Sequence, residues 1–258
     1  MNTNDKEMFE SITVEIKDRV ATVSFFNPKG NSLPKVLLKN LTDEFNQLSV
    51  NEDVNVIVLR SQGGNSFCAG ASFSELQSVT NYLEGKDFFM GFANLILAMK
   101  NCQKIIITRV HGKAVGGGVG IIAASDYVLA QESASVKLSE LDLGIGPFVV
   151  GPAIERKTGK SAFSALAIDT QWRDAYWAKE HGLFVEVYTT VEELDNAVQN
   201  MALKLSKNSP EAMSELKTVL WEGTEEWNTL LPARAKISGR LILSDFSSTY
   251  ISAFKTGA

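Results

Sequence analysis

The chain has 258 residues, 45% of them hydrophobic, so it can bury a sizeable core without a disulfide or metal staple. Its formal net charge of -5, with Lys and Arg scattered rather than clustered, gives no electrostatic footprint for nucleic acid or an anionic membrane, so an anionic ligand must be held locally. Cys68 and Cys102 provide neither a disulfide framework nor zinc spacing, no apolar run approaches the roughly 18 residues of a membrane span, and the polar start resembles no signal peptide, so the expected setting is cytoplasmic.

In chain order, residues 11–16 alternate apolar and polar side chains, Lys17-Asp18-Arg19 interrupts, and 20–25 resumes the pattern, which predicts a hairpin. Val36, Leu37, Leu38, Leu41, Phe45 and Leu48 recur at helical spacing, and 54–59 is a short apolar run of the buried-strand type. That strand, helix, strand order predicts a parallel crossover. Asp87 is placed to cap a helix with Phe88, Phe89, Phe92, Leu95, Ile96 and Met99 on one face, a stripe read as core rather than ligand wall, before a strand at 104–110.

Further strands are predicted at 127–130 and 183–187, and a helix at 172–181 ending on Gly182. Thr190 with Glu193 forms a capping box, and Ser209-Pro210-Glu211 is a second helix start, so the last quarter reads as helical. No repeat or linker divides the chain. The expected organisation is an α/β core over residues 1–190 carrying the site, and a helical region over 191–258 for site cover and oligomerisation.

Two segments are too rich in small residues for ordinary packing: Phe67-Cys68-Ala69-Gly70-Ala71, and 112–120 with its triple glycine Gly116-Gly117-Gly118. Turns built this way leave N–H groups unshielded and can aim them at an oxygen that becomes negative. A helix beginning near Val119 would add positive potential at the same place. Gly118-Val119-Gly120-Ile121-Ile122-Ala123 also fits a dinucleotide fingerprint, with Glu140 20 residues beyond Gly120. The strand predicted from Tyr127 leaves too few residues for the crossover that motif needs.

These segments resemble the crotonase family, the enoyl-CoA hydratase/isomerase superfamily, from about Ile12 to the C-terminal helices. The first is similar to its F-x-A-G-A-D loop, with Ser72 where an acid is common. His111-Gly112 to Gly118 is similar to its N-G-x-A-x-G-G-G segment, and Leu138-Ser139-Glu140 with Leu143-Gly144-Ile145-Gly146-Pro147 to the segment carrying a catalytic glutamate. The resemblance implies a ββα spiral core of repeated strand-helix units, an acyl-CoA thioester substrate with coenzyme A as part of it and no separate cofactor or metal, and a homotrimer or dimer of trimers. It makes the Ala71 and Gly117 amides an oxyanion hole and Glu140 the proton-transfer carboxylate. Ala69, Gly70, Ser72, Phe73, Gly116 and Gly118 would lie along the substrate, with Lys255 near the coenzyme A phosphates.

Hydratases of the family carry a second glutamate where this chain has Gly120, and small residues where it has Phe148-Val149-Val150. One carboxylate leaves hydration in doubt but suffices to shift a double bond. Decarboxylation, thioester hydrolysis and non-catalytic acyl-CoA binding stay open beside it. Asp142 would share a face with Glu140 in an extended stretch. His111 is expected to stabilise a turn by hydrogen bonding, His181 to lie at the surface, and Cys68 to be a small buried residue.

Overall fold

The computed structural model describes residues 10–253. The chain opens with the expected hairpin, β1 (Ser11–Lys17) antiparallel to β2 (Val20–Phe26), closed at Lys17↔Val20. Asp18 and Arg19 make the turn with φ of 52° and 61°, the left-handed pair that matches the twist of a two-residue connection. Helix α1 (Lys35–Ser49) buries Leu37, Leu38, Leu41, Phe45 and Leu48, but Val36 points to solvent at 59% exposure, one position off the buried stripe.

Strand β3 (Val56–Ser61) runs parallel to β2, as the crossover requires, and begins two residues later than expected because Val54 is buried in the preceding turn. Then come β4 (Ser66–Cys68), α2 (Phe73–Ser78) and α3 (Tyr82–Asn101). The cap of α3 is Asn81, whose side chain accepts from Leu83 and Glu84 N–H; Asp87 lies inside the helix and pairs with Lys35. β5 (Ile105–Val110), β6 (Lys113–Val115), α4 (Gly117–Ala124), β7 (Tyr127–Gln131), β8 (Ser135–Lys137) and α5 (Gly151–Asp169) repeat the pattern.

Each strand-strand-helix unit sends its first strand to one sheet and its second to another, which is the spiral that the family resemblance implies. The units β3–β4, β5–β6 and β7–β8 build a large sheet ordered β1-β2-β3-β5-β7 and a small one ordered β4-β6-β8. β9 (Arg173–Asp174) closes the small sheet, α6 (Ala175–Glu180) follows, and β10 (Glu186–Tyr188) closes the large one. The helix expected at 172–181 is shorter because Arg173 and Asp174 pair with β8 and Asp174 then caps α6. The strand expected at 183–187 starts late because the Leu183 and Phe184 amides bond Ala178 O at the end of α6. Gly182 has the left-handed φ of 77° that ends such a helix.

The rest is helical: α7 (Val191–Leu205) with the expected capping box, α8 (Pro210–Leu220) capped by Ser209, α9 (Trp227–Leu241) and α10 (Asp245–Ala253). Leu194, Val198 and Ala202 of α7 cover the outer face of the large sheet against Val56, Val58, Ile105 and Ile107. α9 crosses α3 so closely that a Cβ on Gly85 would stand 2.7 Å from Gly239 O, which keeps both positions glycine. Among the described residues no helix is long and apolar enough to cross a membrane.

Candidate functional site

β4, β6 and β8 run parallel, so their C-terminal ends deliver residues 69–71, 116–117 and 139–140 to one place. There they line a cavity of about 390 Å³. The first loop is tied down where Ala69 N donates to Gly30 O at 3.0 Å and Leu33 N to Gly70 O at 2.8 Å. The second is held where Gly116 N donates to Lys137 O at 2.9 Å. The loops touch, since a Cβ on Gly70 would lie 2.8 Å from Val115 O and 3.6 Å from Gly117 N. Among the described residues no protein oxygen accepts from the Ala71 or Gly117 amide, the latter being a first-turn donor of α4.

Glu140 lies against this pair. Gly116 takes φ of 52°, and a Cβ there would sit 2.9 Å from Glu140 Oε1, so glycine is required both by conformation and by the carboxyl beside it. The Glu140 carbonyl is held by the Leu143 and Ile145 amides at 3.2 and 3.0 Å, fixing the turn from which the side chain projects. Its Oε2 is shut away from solvent without a hydrogen-bond partner. Burial pushes the carboxyl up to about 7, against the opposing pull of its own and Ser139's backbone N–H groups.

The rest of the wall is mainly apolar: Phe73, Leu76, Phe88, Phe89, Leu143, Ile145 and Phe148 among others. The aromatic stripe of α3 is therefore divided, with Leu95, Ile96 and Met99 in the core, Phe88 and Phe89 at the cavity, and Phe92 in the core with an edge on the cavity. The sequence reading missed this because helical periodicity locates a buried face and not what covers it. The C-terminal helices contribute Ser238 and Tyr250.

Of the residues singled out from the sequence, Ala69, Gly70, Ala71, Phe73, Gly116, Gly117 and Glu140 line this one cavity. Ser72 does not: it is buried as the cap of α2, accepting from Glu75 N. Gly118 does not either, because it packs on the other side of its loop, where a Cβ would meet Cys68 O at 2.6 Å. Lys255 lies outside the described residues. Asp142 sits in a turn rather than an extended stretch; it accepts from Thr170 Oγ1 at 2.8 Å and stands 3.6 Å from Lys137 Nζ, so it is an engaged carboxylate at the cavity wall. Cys68 is fully buried, and burial pushes its thiol up to about 12, far from thiolate chemistry at neutral pH.

The absent second carboxylate has a structural counterpart. A Cβ on Gly120 would lie 2.5 Å from Val150 Cγ1 and 2.7 Å from Val150 Cβ. The space beyond Gly120 is filled by valine, so the two departures from the family pattern are one packing arrangement. Among the described residues no group of three or more His, Cys, Asp or Glu side chains is placed to hold a metal ion.

Residues 15–248 match the family model described as Enoyl-CoA hydratase/isomerase. The chain is 32% identical over 193 residues to a peroxisomal Delta(3,5)-Delta(2,4)-dienoyl-CoA isomerase of Arabidopsis thaliana, covering 69% of this chain and 68% of that one. It is 27% identical over 247 residues to a short-chain-enoyl-CoA hydratase of Clostridium acetobutylicum, covering 95% and 94%. An enoyl-CoA hydratase from Bacillus halodurans shares the fold with a TM-score of 0.87 at 20% identity, over 94% of this chain and 99% of that one.

Proposed function

The chain belongs to the enoyl-CoA hydratase/isomerase family, and from that premise we propose that it shifts a carbon–carbon double bond in an enoyl-CoA thioester through an enolate, with Glu140 carrying the proton. In this reading the Glu140 carboxylate takes a proton from carbon 2 of a 3-enoyl thioester. The released electron pair spreads onto the thioester oxygen, where the Ala71 and Gly117 amides receive it. Glu140, now a carboxylic acid, returns the proton at carbon 4 and leaves the conjugated 2-enoyl product.

The observation that carries this reading is a buried carboxyl with an unpartnered oxygen, held against Gly116 beside two unpaired amides. A carboxyl pushed up to about 7 is matched to both halves of the transfer at neutral pH. Isomerisation is favoured over hydration because position 120, where the family's hydratases carry a second glutamate, is glycine, and Val150 crowds the space a side chain there would enter. The phenylalanine-rich wall suits an apolar acyl chain.

The test is a panel of 2-enoyl-, 3-enoyl-, 3-hydroxyacyl- and carboxyacyl-CoA thioesters followed by ultraviolet absorbance and mass spectrometry. The expected result is conversion of 3-enoyl to conjugated 2-enoyl thioester at unchanged mass. A dominant product heavier by one water, loss of carbon dioxide or release of free acid would each replace the isomerase reading. Binding without conversion of any thioester would make the chain an acyl-CoA-binding protein.

A further inference from the structure

A second cavity, of about 640 Å³, opens at the opposite ends of the same three short strands. Residues 69, 115 and 137 at their C-terminal ends line the acyl cavity; residues 65, 113 and 133 at their N-terminal ends line this one. Its character is reversed. Arg60 from the end of β3, Arg109 from β5 and Lys113 from β6 face it, and no carboxylate lines it among the described residues. Asp195 approaches from α7, but it is spent on Arg109 in a two-pronged ion pair.

The polar groups inside are unmet. Ser61 is 1% exposed and His111 8% exposed, both line the cavity, and neither the Ser61 Oγ nor either ring nitrogen of His111 has a partner at hydrogen-bond geometry. Arg60 Nε is also buried and unpaired. Buried polar atoms in native proteins are overwhelmingly bonded, so four unpaired atoms on three residues that line one cavity, each lying just beneath its wall, mark this as the place where a ligand's acceptors would be met. The His111 ring meets no partner at full hydrogen-bond geometry, and its one polar contact in the turn expected to hold it is with the Gly64 backbone; burial first, then Arg109, keeps the imidazole below its ordinary pKa against that contact.

We propose that this cavity binds a phosphate group, either as the free ion or as the phosphoryl group of a small molecule. Guanidinium, hydroxyl and imidazole donors call for a compact ligand rich in acceptor oxygens and negative charge. A phosphate supplies four oxygens around one centre and brings negative charge to Arg60, which unlike Arg109 has no carboxylate in ion-pair contact among the described residues. Phosphate here also bridges β3, β5 and β6, and so braces the roots of the loops that shape the acyl cavity.

The test titrates the intact protein, first without thioester, with inorganic phosphate against chloride at matched ionic strength, reading the His111 ring by NMR together with thermal stability. Saturable, phosphate-specific shifts of the His111 signals and a rise in Tm are expected. Arg60→Gln and His111→Asn are each expected to weaken binding by about ten-fold or more. The second variant guards against misfolding of the first, and glycerol phosphate as an alternative probe distinguishes an organic phosphoryl source from the free ion.

Repeating the titration with the acyl cavity saturated by a coenzyme A thioester should leave the phosphate response intact. Displacement by the thioester, an equal response to chloride, or undiminished affinity in both variants would overturn the site. His111 signals that follow protein concentration rather than phosphate would overturn it in favour of a carboxylate from a second copy of the chain. Because the readout is binding at His111, it succeeds or fails independently of turnover at Glu140.

Discussion

Two buried carboxylates in this chain are treated in opposite ways. Asp126 is fully engaged: Oδ2 accepts from Ile106 N at 2.8 Å and from Lys217 Nζ at 2.9 Å, and Oδ1 from Trp221 Nε1 at 2.9 Å. Glu140 has an orphaned oxygen and no cationic neighbour within ion-pair distance among the described residues. A carboxylate satisfied on both oxygens has no capacity left for a substrate and holds structure together. One left short, at a cavity wall beside two unpaired amides, keeps that capacity for chemistry.

The largest expected effect separates them most sharply. Glu140→Gln keeps shape and removes the proton carrier, so turnover is expected to fall by about 10²- to 10⁴-fold while affinity for a coenzyme A ligand changes little. Steady-state kinetics beside calorimetric binding checks this, and near-full turnover in the variant would end the assignment. Lys217→Met should do the reverse. It strands the Asp126 carboxylate and leaves the Met99 and Lys104 carbonyls without their donor, at a cost of about 3–5 kcal/mol in unfolding free energy. Turnover per folded molecule should be unchanged.

The pH dependence sharpens the contrast further. Glu140 has a folded-state pKa raised from 4.5 to about 7, so the native state holds the extra proton between those values and stability falls as pH rises through them. The full penalty, about 3 kcal/mol, is present above pH 7 and absent below about 4.5. Glu140→Gln should therefore be the more stable protein at pH 8 and indistinguishable from the parent at pH 4, as read by denaturant unfolding. If Glu140 is the base, kcat/KM of the parent rises with pH to a midpoint near about 7. A flat profile across that range would remove Glu140 from the rate-limiting proton transfer.

What the sequence made legible was the local part of this arrangement. The loops at 67–71 and 112–120 announce themselves by small residues in contiguous runs, while Glu140 was picked out by the resemblance of residues 138–147 to the family's glutamate-bearing segment. The long strands and the capped C-terminal helices were readable from period and punctuation. The small sheet was not, because β4, β6 and β8 are three residues each and β9 two, too short to carry an alternation. Asp126 and Lys217 are 91 positions apart, and Arg60 at the end of β3 lies far in sequence from Arg109 and His111 at the end of β5. Only the fold brings such residues together.

Gly120 and Val150 are a case where the sequence displayed both halves without their connection. Read alone, Gly120 is a missing carboxylate and Val150 a bulkier pocket residue; in space they occupy one another's volume, with a Cβ on Gly120 2.5 Å from Val150 Cγ1. Gly120→Ala is therefore expected to cost about 1–3 kcal/mol through overpacking. In the double variant with Val150→Ala the loss should be smaller than the sum of the single losses, with a coupling of about 0.5–3 kcal/mol in a double-mutant cycle read by denaturant unfolding. Strictly additive losses would show that valine is not what keeps position 120 bare. If the coupling is found, Gly120→Glu alone should add no hydration, since its carboxylate has nowhere to go, and water addition should emerge only when Val150 is truncated as well.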